Sequence, residues 1–201
     1  MKKYIVLGIL ALVVLVVIIS AIGGYNRLVN LSQQTNSQWA QVQNVYQRRA
    51  DLIPNLVQTV QGSANFEKST LEAVTNARAS VGRVTLDSSK APEDAAKLQE
   101  FQQAQGQLST ALSRLLVVSE NYPDLKSSQN FRDLQAQLEG TENRISVERG
   151  RFNDTVRAYD TAVHSFPSAL FASMFGFKDK PYFTATETAQ TAPAVNFNFN
   201  K

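Results

Sequence analysis

Residues Tyr4 to Ile22 form an unbroken apolar run of 19 residues, YIVLGILALVVLVVIISAI. As a helix it spans roughly 28 Å, about the thickness of a bilayer hydrocarbon core. It exceeds the roughly 7–15 apolar residues of a signal peptide, and the SAIGG behind it is a poor cleavage site. The run predicts an N-terminal membrane anchor over residues 1–24. Lys2 and Lys3 precede it and only Arg27 follows closely. The positive-inside rule then puts the N-terminus in the cytoplasm and the bulk of the chain outside.

Behind the anchor the apolar period is helical. Leu28, Leu31, Thr35, Trp39, Val42, Tyr46, Arg49, Ile53, Leu56 and Val60 recur at spacings of three and four. Gly23-Gly24 predicts a flexible joint, and Gly62 a stop. A second stripe runs through Phe66, Thr70, Val74, Ala77, Val81 and Val84. A third runs from Leu98 to Tyr122, with Pro92 expected in its first turn. A fourth runs from Phe131 to Val163 and ends before Phe166-Pro167. Strand-type alternation is absent from residues 25–165. The expected fold is all-α: a transmembrane helix, an elongated antiparallel four-helix bundle over 25–165, and an irregular C-terminal tail. Residues 166–183 form an aromatic segment, and the Thr- and Ala-rich residues 184–201 are expected to be disordered.

Charge and cysteine content exclude several functions. Outside the first 24 residues, 18 bases face 17 acids. On the fourth helix the two signs are interspersed, as on a solvated surface. No concentrated basic face of the kind that binds nucleic acid is evident. The chain has no cysteine and one histidine, His164. Thiol nucleophiles, disulfides, lipoprotein-type lipidation and multi-histidine metal sites are therefore out. No Gly-rich phosphate loop or nucleophile-elbow context appears. Catalytic, cofactor-binding and metal-binding residues are accordingly none.

The segments YNRLVNL, QWAQVQNVYQRRADLIPNLVQTVQG and LEAVTNARA resemble the LemA family of bacterial membrane proteins. So do ENYPDLKSSQNFRDLQAQLEGTENRISVERGRFNDTVRAYDTAV and FPSALFASMFGFKDKPYF. The resemblance covers nearly the whole chain. It departs at Phe152-Asn153 and Tyr159-Asp160, where the family usually reads Tyr-Asn. It implies a single-pass, membrane-anchored helical domain in the bacterial inner membrane and no established reaction. It also implies placement near membrane proteases or in envelope assembly.

Two stretches carry the candidate interaction residues. QRRADLIPNLV, residues 47–57, places Arg49 on the apolar stripe with Arg48 and Asp51 flanking it. Pro54, followed by Asn55, removes its own donor and frees the carbonyl of Ala50, at about 3 kcal/mol. Such a kink would let the long helix bend around the bundle. The freed carbonyl calls for a donor, for which an arginine or asparagine side chain is suited. Glu139, Glu142 and Glu148 are the expected ion partners. A buried polar network that fixes helix register is the preferred reading, because buried charge needs internal partners. A basic notch for an acidic peptide or phosphate is the alternative. EGTENR, residues 139–144, adds Glu142 and Arg144 and places Gly140 in mid-helix. That costs about 1 kcal/mol against alanine and predicts a close helix crossing, with a ligand notch as the alternative. His164 is expected to cap carbonyls at its helix end.

The second stretch is aromatic: Phe166, Phe171, Met174, Phe175, Phe177, Tyr182 and Phe183. These rings are expected to fold back and close the end of the bundle. The alternative is an exposed patch for a partner or the membrane interface. The terminal VNFNFNK alternates like a strand and could add to a partner's sheet edge.

The sequence thus points to a membrane-anchored scaffold or adaptor for envelope proteins rather than an enzyme. Its partners would be the lipid bilayer, through the anchor, and an envelope protein, with a membrane protease as one candidate. Self-assembly into a structural homo-oligomer is the first alternative, and an envelope enzyme with an unrecognised carboxylate or serine site the second.

Overall fold

A computed structural model describes residues 2–63, 66–87 and 89–184. The terminal VNFNFNK and nearly all of the predicted disordered tail lie outside the described residues. Helix α1 runs from Lys2 to Gln61 as one element, about 90 Å long. It passes through Gly23 and Gly24 without a break, so the joint expected there is not formed. Gly24 has another use. A Cβ on it would sit 3.5 Å from Ser168 Oγ and 3.8 Å from Ser168 Cα. The bare Cα leaves room for the C-terminal segment to pack there.

The remaining helices are α2 (Lys68–Arg83), α3 (Ala95–Ser119), α4 (Pro123–Ser127), α5 (Gln129–His164) and α6 (Ser168–Ala172). No strand occurs among the described residues. Helix α5 lies against α1 along most of its length, and α2 against α3. The α1–α5 pair is antiparallel: Leu28 clusters with Tyr159, Trp39 with Phe152, and Val60 with Phe131. The expected all-α bundle of four long helices is present.

Local chemistry explains the helix ends. Asp94, not Pro92, opens α3. Its carboxylate accepts from the backbone N–H of Ala96 at 2.8 Å and of Lys97 at 3.3 Å, satisfying donors that a helix start leaves open. Pro92 is buried in the preceding loop instead. The third helix also stops at Ser119, short of Tyr122. Pro123 then starts α4, where its missing N–H costs nothing. Helix α4 turns Leu125 into the distal core.

That core has three sections. Distally, Ile53, Leu56 and Val60 meet Leu71, Leu115 and Phe131. In the middle, Trp39 and Val42 meet Leu98, Phe101, Phe152 and Phe183. Nearest the anchor, Leu28 meets Tyr159, Ala162 and Val163. Each fully buried large side chain contributes about 1.5–3 kcal/mol. The anchor has no such partners: the large apolar side chains from Tyr4 to Ile19 are each at least half exposed. By length and composition this helix is able to cross a membrane.

Candidate functional site

Arg49 is 2% exposed, in the distal part of α1. Its guanidinium reaches two other helices. Nη1 donates to Glu142 Oε2 at 2.7 Å and to Ser109 Oγ at 2.9 Å, and Nη2 donates to Gln105 Oε1. The group also lies over the Tyr46 ring, 5.3 Å from its centroid. Burial pushes the Tyr46 phenol above its usual pKa, against the smaller opposing pull of Arg149 and Arg49. Glu142 is 55% exposed, so the layer is buried on its basic side and wet on its acidic side. Arg49 Nε has no partner. Both Nη atoms bond internally, to side chains of two other helices.

The flanking residues separate by role. Helix α1 continues through Pro54 to Gln61. The carbonyl of Ala50, freed by that proline, accepts from Arg78 Nε on α2 at 3.3 Å. Of the arginine or asparagine donors the sequence allowed, the structure supplies an arginine from α2. Arg48, Asp51 and Asn55 face solvent. Asp51 accepts from Gln47 Nε2 at 2.7 Å. Arg144 is exposed and lines an open groove between α1 and α5, with Gln41, Val45, Val147, Glu148 and Arg151. Gly140 is exposed, and a Cβ there would meet nothing within 4 Å. The close helix crossing expected at Gly140 is therefore absent. His164 does not cap carbonyls; its Nε2 lies 2.8 Å from Asp179 Oδ1.

The aromatic segment splits in two. Phe183 is buried beside Trp39 in the middle section, not at the bundle's end. Its ring lies 6.1 Å from Trp39 in a stacked arrangement and 5.4 Å from Phe152, edge to face. Residues 177–184 form an extended strap held by side chains of α5. The Tyr159 hydroxyl donates to Lys178 O at 3.0 Å, and Asp160 accepts from Lys180 N at 3.1 Å. The Asn153 amide donates to Phe183 O and accepts from Phe183 N, both at 2.9 Å. Arg149 donates to Thr184 O at 3.1 Å and lies 4.7 Å from the Phe183 ring centroid. Lys180 is buried over the Tyr159 ring and 4.0 Å from Glu93. Burial lowers the Lys180 pKa, against the pull of Glu93 and Asp160. The Tyr159 phenol is pushed up to about 12, by burial first and then by Asp160 and Glu93.

The other half of the segment lies beside the anchor. Phe177 and Phe175 meet Tyr25 edge to face at 5.7 and 5.1 Å. Phe171 is half-buried, whereas Phe166 is 82% exposed, with Leu170 and Met174 also exposed. The expected folding back therefore holds for Phe177 and Phe183 and fails for Phe166 and Met174. Among the described residues, no three His, Asp or Glu side chains converge as metal ligands would.

The profile of the LemA family matches residues 38–197. The chain is 23% identical to magnetosome protein MamQ of Magnetospirillum gryphiswaldense over 79% of its own length and 64% of the relative's. It is 24% identical to magnetosome protein MamQ 2 of Paramagnetospirillum magneticum, over 83% of this chain and 67% of that one. It is 20% identical to protein LemA of Metamycoplasma hominis, over 83% and 71%. The chain thus spans about two thirds of the length of the MamQ relatives.

Proposed function

The chain belongs to the LemA family, and from that premise we propose that it is a membrane-anchored helical scaffold that presents other envelope proteins with a docking face and carries out no chemistry of its own. The observation behind this reading is the continuity of α1 from anchor to distal tip. The family and the uncovered apolar helix make the protein membrane-associated. A partner docked on the side of such a rod is held at a fixed height above the bilayer. Anchoring also raises the local concentration of the pair.

The docking face is the α1–α5 groove beside Arg144. Val147 is 51% exposed there and adjoins Val45, with Arg144 and Arg151 alongside. Arg151 is paired with Glu148 at 2.9 Å, so Arg144 is the base that an acid on an amphipathic partner segment would meet over this apolar floor. A membrane protease is one partner class that fits. The interior gives the scaffold its stiffness, because Arg49 ties α1 to α3 and α5.

A photo-cross-linking residue at Val147 in intact cells tests this, with Val117, 70% exposed on α3, as the control site. An envelope protein trapped from position 147 and not from 117 is the expected result. A product made only of two copies of this chain would replace the hetero-scaffold with self-assembly. No product at position 147 would sink the docking face.

A further inference from the structure

We propose that residues 166–175 form a foot that inserts into the interfacial layer of the bilayer beside the anchor, so that the bundle touches the membrane at a second place. The proposal rests on reading α1 as the membrane span. It adds that the C-terminal segment, after leaving α5, returns to lipid.

The position of the segment carries the argument. The apolar run of α1 ends at Ile22. Ser168 packs against Gly24, and Phe175 and Phe177 pack against Tyr25. Gly24 and Tyr25 lie about 3–5 Å beyond Ile22 along the helix axis. The interfacial layer on each side of a bilayer is about 5–7 Å thick. The segment also reaches the run itself. Ser20, Ala21 and Gly24 are partly covered, whereas Lys3 to Ile19 are exposed. Helix α5 cannot supply that cover, because its last turn already lies level with Leu28. Helix α6 is what packs on α1 beyond it.

The chemistry of the exposed side chains agrees. Among the described residues beyond Tyr25, seven large apolar side chains are exposed, and four of them are Phe166, Leu170, Met174 and Phe175. Scattered apolar residues need no explanation, but a cluster within ten residues does. Here it is continuous with the one surface of the molecule that lipid must cover. Tyr25, 42% exposed, has the amphipathic ring that favours the headgroup level. Arg27 and Lys178, both exposed nearby, suit anionic headgroups. Lipid is therefore the occupant.

The chain has no cysteine, so single cysteines report cleanly. The full-length protein is placed in nanodiscs of phosphatidylethanolamine and phosphatidylglycerol. Leu170→Cys and Met174→Cys carry an environment-sensitive fluorophore, with Val117→Cys and Val13→Cys as water and bilayer references. Phe166→Cys supplies a third site if either label disturbs packing. The expected result is blue-shifted emission at 170 and 174, quenched by lipids spin-labelled near the headgroup. Position 13 is quenched by labels deeper in the chains, and 117 by neither. Emission at 170 and 174 matching that at 117, while 13 remains quenched, overturns the foot and leaves the anchor standing. A blue shift without lipid quenching means that a second copy or another protein covers the patch, and also overturns it. Loss of quenching at 13 overturns the anchor and the foot together.

Discussion

The layer at Arg49 and the layer at Trp39 lie about 15 Å apart on the same helix, and they close the bundle by opposite means. Around Arg49, one buried cation collects Gln105, Ser109 and Glu142 from two helices. Desolvating that cation is costly, and the return depends on geometry, which one bare Nε shows to be incomplete. Around Trp39, five aromatic rings meet, and the fifth, Phe183, comes from the strap. Its polar atoms are backbone N–H and C=O groups paired with side chains of α5. The first layer specifies how helices align and adds little net stability. The second adds stability and ties the C-terminal segment to the body.

The sharpest way to break this contrast is Phe183→Ala. Removing a buried ring costs about 3–5 kcal/mol. The loss has a ceiling, since the strap can detach and leave the four helices in place. The expected effect is therefore about 3 kcal/mol in thermal or chemical unfolding of the full chain, with hydrogen-exchange protection lost at 178–184 first. Unchanged protection there would show that Phe183 is not the strap's main hold. Truncation after Ser165 would likewise strip a ring from the core, and could not isolate a role of the tail alone.

Next in size is Arg49→Ala, expected to cost about 2–4 kcal/mol by stranding Gln105 and emptying the layer. Glu142 is half exposed and can turn to water. The double variant Arg49→Met, Gln105→Leu should recover most of the loss, because apolar replacement of a buried polar cluster is often neutral or better. If the double variant is as unstable as Arg49→Ala, the layer contributes net stability and the contrast fails.

The Arg49 layer was largely legible in the sequence, and the strap was not. Arg49 falls on a stripe of otherwise apolar positions, and a charge there demands a partner. The acids of α5 were the available choices, and Glu142 is the one in register. Pro54 likewise announces a freed carbonyl, although only the fold brings Arg78 to it. The strap has no period to read. Its bonds run from α5 side chains to backbone, which any residue type can supply. The available signal was polar residues bordering the stripe, Asn153 and Asp160. Gly140 misled because a mid-helix glycine is equally compatible with close packing and with an open surface. Gly24, read as a joint, is where packing occurs.

Asn153→Ala tests the strap's polar half. It removes two bonds to Phe183 and leaves that residue's buried N–H and C=O without their partner. The expected cost is about 1–2 kcal/mol, less than for the ring. A cost equal to that of Phe183→Ala would mean that the amide and the ring act as one unit.

The smallest effect is also the most diagnostic of burial at the strap. Tyr159→Phe keeps the ring beneath Lys180 and loses the bond to Lys178 O, an expected cost of about 1 kcal/mol at neutral pH. The native phenol titrates near 12, against a usual value of 10.0. A raised native pKa favours the neutral form. Its stabilisation is fully present below pH 10 and is lost as pH rises through about 12. Lys180, with a lowered native pKa, has the opposite sign: its burial penalises the native state while it is charged and is relieved as it deprotonates. Lys180 is common to wild type and Tyr159→Phe, so the difference between their unfolding curves isolates the phenol. Wild type should lose its advantage between pH 10 and 12. A difference that stays flat across that window would place the hydroxyl in water, and the strap with it.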